Sequence, residues 1–151
     1  MMKRPTIWVV IADGSRARIV VPTERKATYA TIRSFDSPDS RLPARELGRA
    51  ALGRTQESAT PSRHGIEPRS DPHDRLQKEF AGEVAEALNG ASESGMFDRL
   101  VLVAPQSVAA PLRHALDEAV RHKIAEVIAK DLTKTPDHEL AAHLEAVERI
   151  R

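Results

Sequence analysis

Hydrophobic positions along this chain follow two different periods. Ile7 to Ala12 is a nearly unbroken β-branched run, as expected of a strand covered on both faces. Asp13-Gly14 signals a hairpin, and Arg16 to Val21 reads as the returning strand. Pro22 to Lys26 makes a second turn, and Ala27 to Phe35 alternates partially as a third strand. Further on, the spacing changes to that of helices. Asp71-Pro72-His73-Asp74 is a helix start: Asp71 caps, Pro72 fits the first helical position, and Asp74 suits the dipole. Leu76, Phe80, Val84, Ala87 and Leu88 share one face, and Asn89-Gly90 supplies a stop. Leu100 to Ala104 predicts another buried strand. Val108, Leu112, Leu116 and Val120 predict a helix from about Ser107 to Arg121, with Pro111 near its first turn. Ile124 to Ala129 predicts a fifth strand. Thr135-Pro136-Asp137 caps a last helix carrying Leu140, Leu144, Val147 and Ile150. The order β-β-β-loop-α-β-α-β-α predicts one α/β domain over residues 1–151, with an α+β tendency from the opening meander. Its sheet is mixed and five-stranded, with helices packed on it.

One stretch fits neither period. About 35 residues separate the third strand, near Phe35, from the helix start at Asp71. Connections in compact domains are usually about 4–6 residues, and those beyond roughly 12–15 tend to carry function or to be disordered. Between Arg41 and Arg69 this loop holds Arg41, Arg45, Arg49, Arg54, Arg63 and Arg69 against Glu46, Glu57 and Glu67. It is locally basic in a chain of formal net charge +1. Leu42 to Leu52 suggests a short helix, against which Pro43 and Gly48 count.

Composition then narrows the classes. At 40% hydrophobic and 30% charged residues, the chain is globular. A near-neutral charge lacks the general basic excess of nucleic-acid-binding domains, so an RNA role needs a local patch. There is no cysteine, so disulfides, zinc-thiolate sites and thiol nucleophiles are excluded. Met1-Met2-Lys3-Arg4 ahead of the first apolar run imitates a signal peptide. The run is short, Asp13 ends it, and no cleavage site follows, so the expectation is an unexported, cytoplasmic chain. No stretch reaches the ~18–20 apolar residues of a membrane span.

The loop gives the first candidate binding residues: Arg45, Arg49, Arg54, Arg63, His64, Gly65, Glu67, Arg69 and, at the helix start, His73. Arginine forks match phosphate oxygens. The loop from Asp36 to Asp71 has no aromatic residue, so base stacking is not offered there. His64 and His73, with Glu67, Asp71 and Asp74, match no metal-ligand spacing and read as surface polar residues; no metal or cofactor is expected. Asp13 and Asp131 stand at strand ends, where metal-dependent nucleases gather carboxylates. The fourth strand ends in Ala104-Pro105-Gln106 and adds none. Arg16 and Arg18 share one strand face, either as part of a basic surface or paired with neighbouring acids. No nucleophile elbow and no glycine-rich phosphate cradle occurs.

Several blocks resemble a known family. WVVIADGSRARIV, RLPARELG, SRHGIEPRSDPHD, FDRLVLVAPQS and AKDLTKTPDHELAAHL occur in the order found in bacterial host attachment proteins, and together they cover nearly the whole chain. That group is regarded as related to the middle domain of archaeo-eukaryotic peptide-chain release factors. The resemblance implies a ribonuclease-H-like order of elements. It also implies that the long loop corresponds to the release factor's catalytic loop. The Gly-Gly-Gln of that loop is missing here. The chain reads Arg63-His64-Gly65-Ile66-Glu67-Pro68-Arg69, so peptide release is not expected. The leading expectation is a non-catalytic factor that binds the ribosome or structured RNA through the Arg41–Arg69 loop. One alternative is a protein–protein interaction module acting upstream of attachment. Another is a metal-dependent hydrolase or nuclease built on Asp13 and Asp131.

Overall fold

The computed structural model describes residues 4–37 and 72–151. The loop expected between the third strand and the first helix therefore lies almost wholly outside the described residues, as does the short helix expected at Leu42 to Leu52.

Strand β1 (Ile7–Ala12) is buried along its whole length. Ile7, Val9 and Ile11 face one core, and Trp8, Val10 and Ala12 face the other. A strand with no polar position has only one stable place, the centre of a sheet covered on both sides. It pairs antiparallel with β2 (Arg16–Pro22), which pairs antiparallel with β3 (Tyr29–Asp36). On its other side β1 runs parallel to β4 (Arg99–Val103), and β4 runs parallel to β5 (Ile124–Ile128). The order is β3-β2-β1-β4-β5, the mixed five-stranded sheet that the element order predicts.

One face is covered by α1 (Pro72–Glu93), α2 (Gln106–Ala115) and α3 (Glu118–Arg121). Phe80, Val84, Leu88, Leu112, Leu116 and Val120 meet Trp8, Val10 and Leu102 there. The other face is covered by a 3-10 helix (Asp137–His143) and α4 (Glu145–Ile150), through Leu140, Leu144 and Val147.

The strands fall within one or two residues of the expected bounds, and the three expected helices differ more. Helix α1 does not stop at Asn89-Gly90. It runs on to Glu93 and ends at Gly95, whose φ of 72° suits glycine. The Met96 N–H then donates to the Ala91 carbonyl at 2.9 Å, and Gly95 to Ser92 at 3.0 Å. Asn89 instead faces a neighbour: its Oδ1 accepts the Asp117 N–H at 2.8 Å. That bond sits where the expected 107–121 helix breaks into α2 and α3, with Leu116 extended at ψ 144°. Because α2 starts at Gln106, Pro111 lies inside it rather than in its first turn. Last, the expected helix from Asp137 is a 3-10 helix followed by α4. Asp137 does not cap it; its carboxylate accepts from Thr31 of β3, at 3.0 Å from the N–H and 2.7 Å from the hydroxyl.

Candidate functional site at the carboxyl edge of the sheet

β1, β3, β4 and β5 share one direction, so their carboxyl ends lie along one edge. The β1–β2 turn and the N-termini of α1 and α2 meet at that edge. In open α/β sheets this is where ligands bind. A cleft of about 290 Å³ opens there. Phe80, Val84, Val108, Pro111 and Leu112 give it an apolar floor, and Asp13, Asp74, Gln77, Lys78 and Ser107 contribute polar groups.

Asp13 closes the hairpin. Its Oδ1 accepts the N–H groups of Ser15 at 2.8 Å and Arg16 at 2.7 Å. The turn is tight enough to bring the Asp13 N–H to the Arg16 carbonyl at 2.8 Å. Its Oδ2 lies 3.2 Å from the Thr133 hydroxyl. That hydroxyl also reaches Asp131 Oδ1 at 2.5 Å, and the Thr133 N–H reaches the same oxygen at 3.0 Å. The structure thus brings Asp13 and Asp131 to one threonine. Among the described residues no three His, Cys, Asp or Glu side chains gather as a cation site.

Arg18 is bound to the same turn from the sheet side. Its guanidinium donates to the carbonyls of Thr133 at 3.0 Å, Leu132 at 3.4 Å and Thr135. Its Nε lies 3.9 Å from Asp137 and has no hydrogen-bond partner. With its side chain only 16% exposed, Arg18 ties β2 to the chain after β5. Arg16 lies half-buried in a second hollow of about 300 Å³ with Ser34, Asp36 and Thr133.

His73 occupies the first turn of α1, and its Nδ1 is 3.4 Å from Gln77 Nε2. Gln77 lies against Gly14: a Cβ built there would meet Gln77 Cδ at 2.8 Å. The glycine therefore makes room for the amide. Gln77, Lys78 and Thr133 were not legible as site residues. Only the i, i+4 spacing of His73 and Gln77 gave a local signal. Arg45, Arg49, Arg54, Arg63, His64, Gly65, Glu67 and Arg69 lie outside the described residues. The proposed match between their loop and a release-factor catalytic loop lies there with them.

The geometry defines a three-layer α/β protein with a small, mainly apolar cleft at the carboxyl edge of a mixed sheet. A family model described as "Protein required for attachment to host cells" matches residues 8–144, and the chain belongs to that family. No curated protein matches it. Among solved structures it is similar to the crystal structure of an archaeal translation termination factor, aRF1, at 13% identity and a TM-score of 0.46. The alignment covers 95% of this chain and 39% of that one. It is also similar to a structure described as "Archaeal protein", at 14% identity and a TM-score of 0.43, covering 95% of this chain and 38% of that one. The chain thus spans about two-fifths of either. Among the described residues no helix is long and apolar enough to cross a membrane.

Proposed function

We propose that this protein serves attachment to host cells as a non-catalytic binding protein that holds a protein partner at the carboxyl edge of its sheet. The family description supplies the process. The observation that carries the act is the cleft itself, an apolar floor with a few polar groups beside it, the usual build of a site that takes a side chain or small apolar group. Asp13, the acid best placed for chemistry there, already accepts two backbone N–H groups and meets Thr133. Such a carboxylate is committed to holding the turn.

Complementation tests this. Val108 is half-buried and lines the cleft. A strain lacking the protein receives either wild type or Val108→Glu, with melting curves checked on both purified proteins. Attachment lost by a folded variant supports the cleft. Full attachment with Val108→Glu sinks it.

A second reading is kept by one observation. Residues 41–69 hold six arginines against three glutamates. That excess suits the ribosome or structured RNA, bound through phosphates and therefore salt-sensitive. Co-sedimentation with ribosomes across a salt series, wild type against Arg63→Ala/Arg69→Ala, separates it from the first. Binding that falls with salt and with the arginines favours RNA. No binding at low salt removes this reading.

A further inference from the structure

We propose that a second copy of this chain docks, about a two-fold axis, on the groove between β3 and the C-terminal half of α1. This surface is separate from the carboxyl-edge cleft, which takes the first half of the same helix. Three large hydrophobic residues are exposed among the described ones, and two of them, Ile32 at 51% and Met96 at 54%, line this groove. Trp8 lines it too, and its volume is about 410 Å³. Scattered exposed hydrophobics are ordinary, but two in one hollow over a tryptophan make a contiguous surface.

The backbone explains how they come together. Ile19 pairs with Arg33 and Val20 with Thr31, so Ile32 is an extra residue in β3. A bulge of this kind lets consecutive residues, Ile32 and Arg33, line one groove. It also spoils the strand's edge as a template for further pairing, and Asp137 already takes the Thr31 N–H. A second copy therefore packs on the face rather than extending the sheet.

From α1 the groove receives Ala87, Gly90, Ala91 and Ser94, all small. A Cβ at Gly90 would meet nothing within 4 Å. Gly90 lies in the last turn of α1, and neither a positive φ nor a close contact requires glycine there. The open space admits a protruding Met96 or Ile32 from outside.

Charge selects the occupant. Arg33 stands on the strand wall, its guanidinium 4.7 Å over the Phe35 ring, and exposed Glu86 stands on the helix wall. A two-fold contact needs a patch that complements itself. Here it sets Arg33 against the partner's Glu86 and Glu86 against the partner's Arg33, with the apolar residues between them.

Sedimentation equilibrium of the full chain over a concentration series is the test. The expected result is a monomer–dimer equilibrium whose Kd rises about tenfold or more in Met96→Asp. Arg33→Glu and Glu86→Arg each weaken it, and the two together restore it. Both positions are exposed, and melting curves confirm that the variants are folded. A monomer at every concentration overturns the proposal, whether or not the groove takes another protein. So does a dimer that the swaps leave unchanged, or one that the double swap fails to restore.

Discussion

Asp13 is a residue with two explanations, a strand-end acid ready for chemistry or a turn lock, and its hydrogen bonds make them distinguishable. The backbone N–H groups of Ser15 and Arg16 both depend on its Oδ1. Leaving such donors without an acceptor costs about 1–3 kcal/mol. Asp13→Ala is therefore expected to lower the unfolding free energy by about that amount in a denaturant titration, and Asp13→Asn, which keeps the oxygen, by less. An unchanged or raised stability in Asp13→Ala would mean that the acid is held there for something else. Tyr29 poses a second residue-scale question. Its hydroxyl is buried beside the Glu148 carboxylate, which opposes its ionisation. Burial first, and Glu148 second, push its pKa up to about 12 from 10.0, while Arg151 pulls it down. The unfolded chain gives up this proton at lower pH than the folded one. Its stabilising contribution is then complete below pH 10 and is lost as pH rises towards about 12. Tyr29→Phe should flatten the stability profile in that window. A profile as steep as wild type between those values would assign the effect to another group.

At the scale of elements, α1 shows what helix propensity alone can do. Gly82 lies in its middle, and a Cβ there would meet nothing within 4 Å. Gly82→Ala is expected to raise stability by about 0.5–1 kcal/mol, read from the denaturation midpoint at unchanged slope. The same helix shows where local signals end. Its start at Pro72 was legible, because an N1 proline acts within one turn, while the expected cap Asp71 lies outside the described residues. Its end was not, because Asn89 is used by Asp117, 28 positions away, rather than by its own helix. The 3-10 helix went unread for the same reason: Asp137 is drawn to Thr31, 106 positions earlier. Strands fared better. Continuous burial in β1 and alternation in β2 are periods of one and two residues, visible without partners. In the candidate site, Asp13, Asp131 and His73 could be singled out by position at strand or helix ends, and Arg16 and Arg18 by their shared strand face. Thr133 and Gln77 matter only through what folds against them, Asp13 and Gly14, and no local pattern announces that.

Across the whole molecule, β1 joins two cores that otherwise have little in common. One lies under α1 and α2 and forms the floor of the cleft; the other lies under the 3-10 helix and α4 and lines none of the cleft. Stability is drawn from both, whereas the proposed binding uses only the first. Leu144 belongs to the second core and is fully buried. Truncating such a leucine costs about 2–5 kcal/mol. Set against the roughly 5–15 kcal/mol of a typical domain, that loss leaves a folded but weakened protein. Val108→Glu makes the opposite change, placing a charge in the cleft at a half-buried position. The two variants should therefore separate. Leu144→Ala should lower the melting temperature, and attachment should fall only in proportion to the soluble protein remaining in the cell. Val108→Glu should stay folded and abundant, with a smaller fall in melting temperature than Leu144→Ala, and still lose attachment. If attachment per folded molecule fell as far in Leu144→Ala as in Val108→Glu, the second core would itself have to reach the partner, and the carboxyl-edge cleft would lose its claim to be the working surface.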